Sequence, residues 1–270
     1  MSALSRQIFS YHLRRKKIWL LAGLTVLVAA VAIITSFYPR PIEFIAQNPI
    51  FEALIANYWQ DGATGEVISQ FIYQFNRRIF HYTAFFIALF TVVGSPLDDK
   101  SILKPIAGTL TGRANLLVAE ITASLSAIYF FTVGMFIFVQ IGALSTGTVA
   151  IHQFLTLPVI LLKLTFFALL YFLFRQLTGF LPATVGSSLI YLLAHLRSAF
   201  GRLSHLNGGI SRLAGRGLYI FLPPFDYFIT SSADGAGTYL LGALHIFIIL
   251  CWIFLIGGGL FLVNHKYDLL

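Results

Sequence analysis

From residue 121 to residue 162 the chain runs for 42 residues without Asp, Glu, Lys or Arg. A helix crosses the hydrocarbon core of a bilayer with about 20 apolar residues, so this run is too long for one crossing and suits two. Residues 142–152, with Ser145, Thr146, Gly147 and Thr148, have the small polar composition of a hairpin between them. Other crossings are expected at 18–37, at 79–94, near 181–196 and within 235–265, the fourth span continuing through Lys163 to Phe174. The expected fold is therefore an all-α integral membrane protein with six transmembrane helices, one domain over 1–270. Composition agrees: 58% of the residues are hydrophobic and 10% charged, against about 25% charged in a soluble chain.

The charge balance is +8. In so apolar a chain, a basic excess points to anionic membrane lipids and cytoplasmic loops as its partners, not to nucleic acid. The single cysteine, Cys251, excludes an internal disulfide and lies in an apolar run, where a thiol acts as a small hydrophobe. Residues 1–17 carry Arg6, Arg14, Arg15, Lys16 and Lys17, and the apolar run behind them ends at Tyr38-Pro39-Arg40 without a small-residue cleavage pattern. This reads as a cytoplasmic tail and an uncleaved first span. With both termini inside, ten Lys and Arg residues flank the spans on the cytoplasmic side and seven on the outer side, which favours this orientation. A multi-pass protein of the cell membrane, bacterial inner membrane included, is the expected location.

Three segments lie between spans. Residues 38–78 form an outer loop holding four of the ten acids, in which Phe51, Leu54, Ile55 and Tyr58 recur at helical spacing. Residues 197–228 are read as an irregular outer segment, re-entrant or interfacial, broken at Gly208-Gly209; its apolar piece 217–225 is too short to cross and ends in a Pro223-Pro224 pair followed by Phe225. Residues 95–113 form a cytoplasmic loop that opens with a helix-start signature. Ser95 is a hydroxyl N-cap, Pro96 stands where no N–H is needed, and Asp98 and Asp99 lie near the positive end of the helix dipole. Lys100 and Lys104 favour the other end and Pro105 stops it. A helix of about nine residues, roughly 14 Å long, results. A rigid charged rod of this kind transmits force from a soluble partner; an ordinary capped loop helix has the same signature.

The span count, this loop and the C-terminus together resemble the permease subunits of ABC transporters of the type 2 exporter class. The matching residues are Asp98-Asp99, Ser101-Ile102, Thr111-Gly112-Arg113 and Ala119-Glu120 around the loop. Leu222-Pro223-Pro224-Phe225-Asp226-Tyr227-Phe228 precedes span six, and Lys266-Tyr267-Asp268-Leu269 lies at the end. Two positions depart from the family: a proline is missing before Arg113, and Glu120 stands where a lysine is usual. The resemblance implies a pair of permeases, two copies or a homologous partner, on two cytoplasmic ATPase subunits. The loop helix would act as the coupling helix, with Ser95, Pro96, Asp98, Asp99, Lys100, Lys104 and Arg113 as its coupling residues. It also implies short outer-surface helices between spans five and six. No Gly-x-x-x-x-Gly-Lys-Ser/Thr occurs, so no P-loop cradles ATP here. The chain is expected not to be an enzyme by itself and to hold no cofactor, with ATP and Mg on the partner ATPase.

Within the spans, two ionisable residues are candidate polar sites. Glu120 stands where span three enters the membrane, seven residues from Arg113 and nearly on its face, so a pair is one reading and a lone interfacial carboxylate the other. Lys163 lies deeper, where a lysine costs about 2.5 to 3.5 kcal/mol on insertion scales and should face a partner helix, water or the interface. His81, His195 and His245 lack His-x-x-x-His or Cys-rich company and read as polar contacts within the bundle. No Gly-x-Ser-x-Gly or His-Glu-x-x-His is present to support an intramembrane hydrolase. Ala119, Ala123 and Ala127 form a small-residue stripe suited to close packing.

So few intramembrane charges provide poorly for ion coupling, whereas a lipid-like or amphipathic substrate could take an apolar lateral route. The leading expectation is an ATP-driven exporter subunit. A non-transporting membrane subunit relaying ATPase motion to an outer-surface partner comes next, then an ion-coupled carrier. The topology is checked in a Cys251→Ser background: Asp61→Cys is expected to react with an impermeant thiol reagent on intact cells, and Asp99→Cys only after permeabilisation. The reverse pattern inverts the orientation.

Overall fold

The computed structural model describes residues 5–6, 8–10, 16–37, 79–93, 113–145, 151–197, 200–201, 209–225 and 236–268. Among the described residues there is no strand, and all regular structure is helical. Backbone amides surrounded by apolar side chains must satisfy one another, and a helix does so within a single segment.

The elements in chain order are α1 (Lys16–Phe37), α2 (Ile79–Val92), α3 (Arg113–Ser145), α4 (Ile151–Thr178), α5 (Phe180–His195), α6 (Gly209–Phe221) and α7 (Ala236–Asp268). The long uncharged run is indeed divided, α3 ending at Ser145 and α4 starting at Ile151. Among the described residues three helices are long and apolar enough to cross a membrane, over Asn115–Ile141, Thr156–Thr178 and Ala243–Val263. Shorter apolar helices occupy Leu20–Val31, Ile79–Val92 and Phe180–His195. Gly257, Gly258 and Gly259 leave α7 uninterrupted.

The join between α4 and α5 is a single residue. Gly179 has φ +92°, a left-handed conformation without steric cost only for glycine, and its N–H donates to the Arg175 carbonyl at 3.1 Å. Pro182 is the third residue of α5, where the N–H has no intrahelical acceptor in any case. The reversal lays α5 back along α4.

α4 is the centre of the molecule. It packs on α3, α5 and α7, and it is the most buried of the three long helices, α7 the least. Leu164, Phe167, Ala168 and Tyr171, spaced i, i+3, i+4 and i+7, form one completely buried face, and Lys163, Phe166 and Phe172 on its other sides are buried as well. α1 packs on α3. Ala119 and Ala123 of the small-residue stripe receive Ile8 from the N-terminal tail, so part of that stripe serves contact with the tail.

The expected irregular stretch before span six differs in one respect: α6 runs unbroken through Gly217 to Phe221. It begins at the expected break, and only then do Leu222, Pro223, Pro224 and Phe225 leave the helix and turn inward, all four buried. At roughly 20 Å, a helix of this length does not cross a bilayer.

Packing between α4 and α5 is tight at Gly186, where a Cβ would approach the Phe174 ring to 3.1 Å, whereas at Gly257 nothing lies within 4 Å. Gly186→Val is expected to cost about 1 to 3 kcal/mol by overpacking and to lower the unfolding temperature of the detergent-solubilised protein. Gly257→Val should leave it near wild type. Equal melting temperatures for both variants would contradict this close approach.

Candidate functional site

Lys163 lies near the middle of α4 with no exposed surface. Its ammonium donates to the backbone carbonyl of Phe225, in the inward-turning segment after α6. The same ammonium stands 5.7 Å from the centre of the Phe225 ring, within reach of a cation–π attraction that desolvation strengthens. Phe225 is itself completely buried. Its ring meets Phe166, Tyr191 and His195 edge-on at 5.1, 5.4 and 5.4 Å between centroids, an arrangement aromatic quadrupoles favour.

A histidine pair adjoins this wall. His81, near the start of α2, and His195, at the end of α5, place their Nε2 atoms 2.7 Å apart although 114 residues separate them. His195 Nδ1 is 2.9 Å from the Tyr191 carbonyl, one turn earlier. A carbonyl only accepts, so Nδ1 of His195 carries the hydrogen. In the neutral ring Nε2 is then the acceptor, and His81 Nε2–H is the donor. This contact exists with His195 neutral; a second proton would set two N–H groups against each other. Tyr191 also stacks on Phe85 at 4.5 Å, and its buried hydroxyl has no hydrogen-bond partner among the described residues.

The arrangement joins four parts of the chain: α2 through His81 and Phe85, α4 through Lys163, α5 through Tyr191 and His195, and the segment after α6 through Phe225. Chemically it offers a cation and a hydrogen-bonding imidazole pair inside an aromatic enclosure, suited to holding the inward-turning segment or an oxygen ligand in its place. Among the described residues no group of three or more His, Cys, Asp or Glu side chains gathers to hold a metal ion.

A second polar locus lies about 18 Å along α4, the rise of the 12 residues from Lys163 to Arg175. There Glu120 of α3, fully buried, meets Arg175 of α4 at 3.3 Å. Arg175 is thus a partner of Glu120; the side chain of Arg113, the partner the sequence offered, lies outside the described residues. The packing of α4 alongside α3 brings Arg175 to the level of Glu120. Removing one partner of a buried pair costs about 3 to 5 kcal/mol because the other charge stays behind.

Lys163 and Glu120 are thus both interior, in separate places. Ser95, Pro96, Asp98, Asp99, Lys100 and Lys104 lie outside the described residues, and Arg113 begins α3 with its side chain outside them. Phe225, Tyr191 and the pairing of His81 with His195 were not foreseen. The need of Lys163 for a partner was a signal for one of them, but a backbone acceptor has no signature in the residue sequence.

Among the described residues, fold and sites define an all-helical protein with three helices long and apolar enough to cross a membrane, and with buried polar loci at Lys163 and at Glu120–Arg175. In comparisons with known proteins, no family model, no curated protein and no solved structure matches the chain.

The Lys163 contact is tested by the segment it holds. In a Cys251→Ser/Leu222→Cys background, Lys163→Met keeps the stem and removes the charged donor, worth about 1.5 to 3 kcal/mol. Thiol labelling at position 222 is expected to accelerate about tenfold or more. An unchanged rate would show that the ammonium does not hold the segment.

Proposed function

We propose that this chain is the membrane-spanning subunit of an ATP-driven transporter of the ABC type 2 exporter class. It would move a lipid-like or amphipathic substrate and be driven by a separate cytoplasmic ATPase. The observation that carries the reading is the segment between the fifth and the last apolar helices. A short helix, α6, is followed by Leu222–Phe225 folded into the bundle against α4 and α5, in the place where this family has short outer helices. The apolar surfaces support it as well: Phe130, Ile137, Phe254 and Phe261 are all more than half exposed, as side chains facing lipid would be.

In this reading α1, α2, α3, α4, α5 and α7 are the six spans and both termini are cytoplasmic. Residues 95–113 are the coupling loop, with Ser95, Pro96, Asp98, Asp99, Lys100, Lys104 and Arg113 meeting the ATPase. Glu120 and Arg175 then lie at the cytoplasmic end of the bundle, one turn or two from that loop's exit into α3. The Lys163 site lies toward the outer side, beneath α6. Motion delivered to the start of α3 would pass through the Glu120–Arg175 pair into α4 and so to the segment that Lys163 holds. A second permease completes the assembly.

The tagged chain is expected to copurify from detergent with a P-loop ATPase, and vesicles holding the pair to move a labelled amphiphile only with ATP. Copurification with no ATP-dependent movement would favour a non-transporting relay subunit. Movement on an ion gradient without ATPase would favour a secondary carrier. The coupling loop has its own test. Ser95→Ala is expected to weaken the helix cap by about 0.5 to 2 kcal/mol. Asp98→Lys/Asp99→Lys should leave membrane insertion near normal while lowering bound ATPase or uncoupling its turnover. Wild-type values for both in the double variant would remove the loop from the mechanism.

A further inference from the structure

We propose that α6 is a binding site for anionic phospholipid, with Arg212 and Arg216 gripping the headgroup phosphate while Leu213, Ile220 and Phe221 lie along the acyl chains. The inference depends on α6 lying at a membrane surface and not on ATP-driven transport.

α6 is unusual in the way its faces are used. One narrow strip docks it on the protein. Gly215 is buried, and Tyr219, one turn on, packs where a Cβ on Gly201 would come within 3.0 Å of its ring. The Arg197 guanidinium lies 4.1 Å from the centre of the Tyr219 ring, and its Nε donates to the Tyr219 carbonyl at 2.9 Å. Arg197 therefore serves as the anchor of the helix. The opposite arc is apolar and open: Leu213, Ile220 and Phe221 are 74, 69 and 72% exposed. A 13-residue helix that turns its apolar arc outward while its neighbours form a bundle is placed for an interface between hydrocarbon and water.

Arg212 and Arg216 stand four residues apart, hence on one side of α6 with Cβ atoms about 5 to 6 Å apart. At 100° per residue they fall between the docked strip and the apolar arc, and both are exposed. Gly209–Phe221 contains no acidic residue. Guanidinium groups take phosphate oxygens in a fork that ammonium groups do not reproduce, and a basic side chain near an anionic surface is favourable by about 1 kcal/mol. Positive charge beside an open apolar arc selects an amphiphile with a negative head. An uncharged lipid would leave the arginines without use, and a free anion would leave the arc uncovered.

The full-length protein in detergent, supplied with equal amounts of phosphatidylglycerol and phosphatidylcholine, is examined by native mass spectrometry. Preferential retention of phosphatidylglycerol is expected. Two arginines at about fivefold each imply that Arg212→Gln/Arg216→Gln lowers the preference about 25-fold. Leu213→Ser/Phe221→Ser should weaken retention of both lipids. If the arginine variant proves unstable, the wild-type preference must still decline as salt is raised. An unchanged preference in the variant, or none in the wild type, overturns the proposal. So does displacement of the lipid by millimolar inorganic phosphate, which would mark a free-anion site. Loss of dimer in Leu213→Ser/Phe221→Ser with lipid retention unchanged would show the arc to be a contact between copies, and would overturn it equally.

Discussion

A charged ammonium inside a helical bundle has to be solvated by the protein, and much of this structure is arranged around how that is done for Lys163. Among the groups that stand in for water are a backbone carbonyl and the aromatic ring of the same residue, Phe225. That solution draws a non-helical segment into the bundle, with the accepting carbonyl lying beyond the end of α6. The two prolines before Phe225 end α6 and free the backbone for this purpose. Desolvation of one side chain is thus linked to the path of the chain between α6 and α7, and Phe166, Tyr191 and His195 close around the result.

The remaining architecture supports α4 in its central position. A one-residue reversal at Gly179 brings α5 against it, and the α3–α4 contact is tied at one end by Glu120 and Arg175. Arg175 lies in the last turn of α4 and keeps a little exposed surface, whereas Glu120, two turns into α3, is fully buried. The two polar loci sit at different levels of the same helix. In the proposed permease, that separation would let one report on the cytoplasmic side and the other on the outer side.

The histidine pair adds a condition to the outer locus. Nε2 of His195 can accept from His81 because Nδ1 donates to Tyr191, so the contact depends on the tautomer set by a helix carbonyl one turn away. α2 and α5 are joined there without metal ligation being required. On the surface, Arg197 fixes α6 through Tyr219 while Arg212 and Arg216 stay outward. Three arginines of similar sequence context therefore have two different tasks.

Periodicity, length and charge in the sequence were enough to read an all-helical chain, the division of the 121–162 run into two helices, and the boundaries of α5 and α7 to within a few residues. These are local properties, since a long uncharged run admits few backbone states once water is excluded. Glu120 and Lys163 were legible as residues requiring partners, because a charge in such a run is costly wherever it points. Their partners were not legible. Arg175 reaches Glu120 only because α3 and α4 pack side by side, Lys163 is satisfied by a carbonyl that every residue possesses, and His81 and His195 meet across 114 residues. Which face of α6 turns to the protein was likewise decided by tertiary contact, Gly215 and Tyr219 docking while the more apolar arc stays open. Sequence determines what must be paid in desolvation, and only the packed bundle decides which atom meets the charge.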